Sequence, residues 1–299
     1  MAATQSIFSS HSVLTQSMER LGTGKRINSA ADDAAGLQIA TRLTGQTNGM
    51  KVAQRNISDA NSLLQTAEGS LDEVTNMLFR MKDLATQAAN DTNPKDDRDA
   101  LSKEYNQLDN AIFKTIVTTT FAGQNLFAEF SAAPNSAYNM RQTGSLVSGK
   151  GLNVQIGEAA SDSMLIKISN FSNFMDDMSE VGLAMTKPTY DIDDVENPQF
   201  GIDFNTENTG ELIKNLEKVI GTVSSMRSEM GAKQNRLAHT AANLQNMQDN
   251  LSVGLGNIQD ADYATEASRM TRSQMLAQTS MSMLKQSNSM SSMVQSLLN

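Results

Sequence analysis

Apolar positions recur every seven residues from Leu43 through Met50, Ile57, Leu64, Leu71 and Leu78 to Ala85. Three positions further on stand Ala53, Ala60, Ala67, Val74, Met81 and Ala88, with Gln46 alone breaking the second row. A heptad sustained this long predicts one helix seeking a coiled-coil-like partner. At about 1.5 Å per residue, 42–90 would reach roughly 70 Å. Asn90-Asp91-Thr92-Asn93-Pro94 ends it, with Asn93 placed to cap the next helix and Pro94 at its first position. That helix carries Leu101, Tyr105, Leu108, Ile112 and Ile116 on one stripe. A second long stripe runs from Leu212 through Leu216, Val219, Val223, Met226, Met230, Leu237, Leu244, Met247 and Leu251 to Ile258. Lys233, Thr240 and Gly254 interrupt it. The two stripes are natural partners, antiparallel or parallel, and the shorter helix completes a bundle. The candidate bundle core is Ile57, Leu64, Leu71, Leu78, Val223, Met230, Leu237 and Leu244.

The chain ends repeat the theme on a smaller scale. Ile7, Leu14 and Leu21 are seven apart with Met18 between them, and Leu276, Met283, Met290 and Leu297 are seven apart as well. Gly22-Thr23-Gly24 interrupts the first stripe before Ser29-Ala30-Ala31-Asp32, a capping-box-like restart. Each end reads as a short amphipathic helix hinged from a long one. Isolated helices of this length are marginal, so the eight apolar residues are expected to order against a further surface and form a polymer interface. In the middle the period changes. Leu152-Asn153-Val154-Gln155-Ile156 alternates, Leu165-Ile166-Lys167-Ile168 is strand-like, and the turn between them makes a β-hairpin. Residues 171–205 mix acids, prolines and aromatics without a period and read as a short solvent-facing excursion. The expected fold is mainly α, a long coiled-coil-like helical bundle built from both chain ends with a small β-hairpin in the middle. Its parts are terminal helices at 1–41 and 259–299, a bundle with hairpin at 42–170 and 206–258, and the excursion.

Composition narrows the function. All four prolines lie between Pro94 and Pro198, which leaves both flanks free of helix breakers. Aromatics are 5% and there is no Trp, too few rings to anchor one large globular core. The absence of Cys excludes disulfides and thiol chemistry. Two His support no His-rich metal site. A net charge of −9 argues against nucleic acid, and no apolar run approaches the roughly 18 residues of a membrane span. The first 21 residues lack the basic start and apolar block of a cleaved signal peptide. Nine of nineteen Met lie at or after Met226, which suits an interface that repacks.

The candidate chemistry is sparse. Gly22-Thr23-Gly24-Lys25-Arg26 lacks the leading Gly and the Ser/Thr of a phosphate loop and reads as a hinge. Asp191, Asp193, Asp194 and Glu196 miss the calcium-loop pattern, because Val195 stands where an Asp or Asn is needed. No nucleophile–base pair is visible, so neither catalysis nor a cofactor is expected.

Several stretches resemble one family. Asn28-Ser29-Ala30-Ala31-Asp32-Asp33-Ala34-Ala35-Gly36-Leu37-Gln38-Ile39, Gln65-Thr66-Ala67-Glu68-Gly69 and Leu84-Ala85-Thr86-Gln87-Ala88-Ala89-Asn90 are similar to bacterial flagellin signatures. So are Thr118-Thr119-Thr120-Phe121-Ala122-Gly123, Met230-Gly231-Ala232-Lys233-Gln234-Asn235-Arg236-Leu237 and Asp260-Ala261-Asp262-Tyr263-Ala264-Thr265-Glu266. The resemblance implies a non-enzymatic subunit that polymerises with itself into the flagellar filament for swimming or swarming. It implies export without a cleaved signal peptide by the flagellar apparatus, a chaperone on the C-terminal tail, and contacts with junction and cap proteins. It places a Toll-like receptor contact on Arg80 and Leu84, weakened here by Phe79 and Ala111 where the family carries Gln and Glu. Gly254 and Gly256 replace the family's helix formers and predict a weak point. The alternative is the hook–filament junction protein, which usually carries Pro after the paired Asp, where this chain has Ala34.

Overall fold

The computed structural model describes residues 2–127, 129–131, 139–141, 144–148, 150–181, 204 and 209–297. They fall into two compact units, Met1–Met50 with Gln245–Asn299, and Lys51–Leu244. The unit boundaries fall at 50/51 and 244/245, inside the 42–258 stretch expected to be the bundle.

The second unit is built on helix α2, Ala34–Ala88, of which it takes 51–88, and α5, Thr209–Gln259, of which it takes 209–244. Side chains fix their sense. Gln234 Nε2 donates to Glu68 at 3.0 Å, Arg227 pairs with Asp72 at 2.9 Å, and Lys82 with Glu217 at 2.9 Å, so the two helices run antiparallel. Ile57, Leu64, Leu71, Leu78, Val223, Met230, Leu237 and Leu244 are all buried. The Ala53, Ala60 and Ala67 row is buried beside them, where small side chains let helices approach closely. Helix α3, Lys95–Thr118, adds Tyr105, Ile112 and Ile116.

The start of α3 differs from the expected cap. Pro94 is the cap residue itself and makes no side-chain cap hydrogen bond. Asn93 instead turns back, and its Nδ2 donates to the Gln87 carbonyl at 2.7 Å, satisfying the end of α2. After α3, strands β1, Thr120–Phe121, and β2, Gln124–Asn125, form a tight hairpin through Ala122 and Gly123, both at positive φ. Strands β3, Glu129–Ser131, and β4, Asn139–Arg141, make a second pair. The expected hairpin is β5, Leu152–Gln155, with β6, Ser163–Ile166, in the register Leu152↔Ile166 to Gln155↔Ser163. It buries Val154, Met164 and Ile166 and lies on the bundle, where Asn56 Nδ2 donates to the Gln155 carbonyl.

The excursion predicted at 171–205 is corrected at its start. Phe171–Glu180 is helix α4, and Phe171, Phe174, Met175 and Met178 are buried. Phe171 stacks on Phe127 with ring centroids 5.8 Å apart and lies 5.7 Å from Phe174. The acids that made this stretch look solvated lie on the opposite side of the helix or are paired. Lys218 reaches Asp177 at 2.9 Å and Glu180 at 3.1 Å, and both carboxylates hold its ammonium above the ordinary lysine range. Residues 182–203 and 205–208, with the acidic stretch at 191–196, lie outside the described residues. Tyr105 is buried, donates to the Val181 carbonyl and packs edge-on against Phe204 at 5.4 Å. Burial, helped by Asp109, pushes its phenol well above the ordinary range.

Candidate self-assembly surface

The first unit joins α1, Ala2–Thr23, the linker that follows it, the first turns of α2, the last turns of α5, and α6, Tyr263–Leu297. Helices α1 and α6 pack side by side. Ser6 meets Ser280 and Ser17 meets Glu266, so the pair is antiparallel.

The contact between them is lined by small and polar side chains. Ser10, Ser17, Ser273, Ala277 and Glu266 are buried. Ser17 Oγ donates to Glu266 at 2.7 Å, which satisfies a carboxylate that would otherwise be costly to bury. The large apolar side chains point away. Phe8 is 77% exposed, Met283 65%, Met290 59%, Met275 58%, Leu276 52% and Met18 50%. Ile7, Leu14 and Leu21 are half-buried. The two predicted stripes therefore do not bury each other within one chain. Small residues bring the helices together, the α6 stripe stays exposed at Leu276, Met283 and Met290, and the α1 stripe is half-covered except at Met18. The Leu297 side chain lies outside the described residues.

The linkers are fixed by carboxylates and by close backbone approach. Asp33 Oδ1 accepts from the Gly36 N–H at 2.8 Å and caps α2. A Cβ at position 36 would lie 2.5 Å from that carboxylate and 2.7 Å from Ile27, which explains the glycine in the Asp32-Asp33-Ala34-Ala35-Gly36 run. Asp32 Oδ2 accepts from the Ser29 and Asn28 N–H groups, and Oδ1 from Gln16. These bonds, the Ser29 amide first, hold its carboxyl below the ordinary range. Asp262 caps α6, accepting from Thr265 Oγ1 and from the Ala264 and Thr265 N–H groups, with the same downward effect.

Gly24, at φ 72°, ends α1 and lets the chain reverse. Its carbonyl accepts from Ala261 N, the Arg26 N–H donates to the Gln259 carbonyl, and Lys25 bridges Asp260. The Gly22-Gly24 run is thus a stapled hinge. The weak point predicted at Gly254 and Gly256 is absent, because α5 runs through both to Gln259. The Asp260 carboxylate lies 2.8 Å from where a Cβ on Gly256 would be.

The receptor-facing residues fare differently from each other. Arg80 is exposed and pairs with Glu104 of α3 at 2.6 Å. Leu84 is 1% exposed, inside the same buried face as Met81 and Ala85. Of these two residues only Arg80 is exposed, since the bundle core takes the leucine. Among the described residues no cluster of His, Cys, Asp or Glu could hold a metal ion, and no helix is long and apolar enough to cross a membrane.

Residues 1–132 match the bacterial flagellin N-terminal helical region, and 213–298 match the bacterial flagellin C-terminal helical region. The chain belongs to the bacterial flagellin family. Polar flagellin F of Vibrio parahaemolyticus is 32% identical over 365 aligned positions that span 100% of this chain and 97% of that protein. A flagellin of Halalkalibacterium halodurans is 35% identical over 283 positions, covering 95% and 91%. A solved flagellar hook-associated protein from Vibrio parahaemolyticus superposes with a TM-score of 0.55 at 17% identity, over 77% of this chain and 100% of that one, and so shares the fold alone. That likeness gives the hook–filament junction alternative no specific support. Flagellins are structural subunits of the extracellular flagellar filament, not enzymes. The family's signatures at 28–39 and 260–266 are the linker carboxylates and caps described above, which bring the two chain ends to one place.

Proposed function

We propose that the outward-facing residues of α1 and α6 are the surface through which copies of this chain stack into the filament, and that the filament serves swimming or swarming. One observation carries this reading: the terminal pair buries serine, alanine and a bonded glutamate while leaving Phe8, Met18, Leu276, Met283 and Met290 exposed. Large apolar side chains exposed together along one helix pair favour association. Contacts that are heterologous and do not close produce a helical polymer, and burial contributes roughly 25 cal/mol per Å² of apolar surface.

The same patch needs a cover before assembly. An export chaperone on the C-terminal tail, delivery by the flagellar export apparatus without a cleaved signal peptide, and contacts with junction and cap proteins complete this reading. The test is seeded polymerisation followed by electron microscopy. The native chain elongates seeds. Leu276→Ser/Met283→Ser, with unchanged helix content by circular dichroism, elongates poorly. Equal elongation by both would move the interface elsewhere.

A further inference from the structure

A cavity of about 590 Å³ in the first unit is lined by Arg20, Arg26, Arg269 and Arg272, together with Asp262 and Glu266. The two acids are already engaged: Glu266 accepts from Ser17 at 2.7 Å, and Asp262 accepts from Thr265 and Ala264. The four guanidiniums keep most of their donors unused. Arg20 comes no closer than 3.9 Å to Glu266 and 4.0 Å to Asp32, beyond hydrogen-bond reach. Its Nε is buried with no hydrogen-bond partner among the described residues. Arg26 spends one donor on the Ile258 carbonyl. Arg269 and Arg272, three apart on α6 and exposed, form no ion pair among the described residues.

We infer that this arginine-lined cavity receives carboxylates from the acidic second unit of another copy of the chain. This rests on the self-assembly reading above. Guanidinium groups in a fixed fork match carboxylates in bidentate geometry. The charge balance names the source. The first unit holds seven basic and seven acidic residues, so the whole net charge of −9 belongs to 51–244. Exposed acids there include Glu73, Asp83, Asp96 and Asp97. A polymer of this chain thus carries a donor-rich cavity and a carboxylate-rich surface in every subunit, and repeated heterologous contact can bring the two together.

The experiment uses full-length chain and a crosslink that reads carboxylate contact. Arg269→Lys/Arg272→Lys protein is assembled from a mixture of isotope-labelled and unlabelled copies and treated with a carbodiimide, which joins amine to carboxylate. Mass spectrometry of mixed-isotope peptides is expected to place position 269 or 272 against Asp or Glu of 51–244 in a different copy. Arg269→Glu/Arg272→Glu should raise the critical concentration for seeded growth at least several-fold with helix content unchanged, and added salt should raise it for the native chain more than for this variant. Crosslinks confined to one chain, or an unchanged critical concentration, would overturn the inference while leaving native polymerisation intact. Failure of the native chain to polymerise would instead overturn the self-assembly reading. Inhibition of growth by inorganic phosphate beyond that of sodium chloride at matched ionic strength, without the crosslinks, would mark a free-anion site and also overturn it.

Discussion

The two units use the same seven-residue rhythm to opposite ends. In 51–244 the rows led by Ile57, Leu64 and Leu71 meet the rows of α5 and vanish from the surface. In the terminal pair the rows led by Met18, Leu276 and Met283 stay in view, and serine and alanine hold the helices together. A heptad therefore specifies a helix with an apolar face, and the neighbour that covers that face can be the same chain or another molecule. What separates the two cases is the residue set on the opposite side. Where it is charged, the apolar face turns inward. Where it is small, with its one buried carboxylate bonded by Ser17, a second helix can dock there and leave the apolar face free.

The sharpest way to break this contrast is to truncate one residue from each unit. Leu71→Ala should cost about 2–5 kcal/mol in denaturant unfolding, through lost transfer energy and a cavity. Met283→Ala should stay within about 0.5 kcal/mol, yet slow seeded growth. Equal stability losses would mean that the terminal face is covered within the monomer.

Gly36→Ala tests the linker rather than either face. The added methyl meets the Asp33 carboxylate and Ile27, so the cap is displaced. The expected loss is roughly 1–3 kcal/mol from strain and the missing cap, read as weaker amide protection at the start of α2. Full protection there would show that the linker relaxes freely.

Acid sharpens the comparison by chemistry. The Asp32 and Asp262 carboxyls lie below their ordinary 3.8, held by amide and hydroxyl donors. A depressed folded-state value contributes stability that is complete above the unfolded value and is lost as pH falls through the folded one. The linkers should therefore hold above about pH 4 and loosen below it. Hydrogen exchange at stepped pH should find the first turns of α2 and α6 opening in that window. In Asp32→Asn the acid-dependent loosening near residue 28 should disappear. In the second unit Glu229 is pulled both ways: burial raises its carboxyl, while Lys233 and the Ser169 amide outweigh it and hold it low.

The smallest effect belongs to Arg80→Ala. Its pair with Glu104 is more than half exposed on the arginine side, so under about 1 kcal/mol is expected, with seeded growth unchanged.

The long stripes, the hairpin and the bundle core were legible because each repeats over many turns or pairs in strict register. Helix α4 was not, since ten residues give Phe171, Phe174 and Met178 only one repeat, and Asp176-Asp177 masks it. The cavity and the Ser17–Glu266 contact escaped for a different reason. They join residues 249 apart along the chain, and no local period reports which serine will face which carboxylate. The buried serines of α1 gave one signal that could have been used: Ser10 and Ser17 are themselves seven apart.

The staple between Lys25 and Asp260 sets an order of events during synthesis. It joins segments more than 200 residues apart along the chain, which gives the terminal pair a very high contact order and makes its closure a late step. The bundle of 51–244 has its own long-range core and can close first. A chain lacking α6 carries α1 without the helix it packs against. The topology thereby makes the α1–α6 pair depend on two segments that lie far apart in one polypeptide.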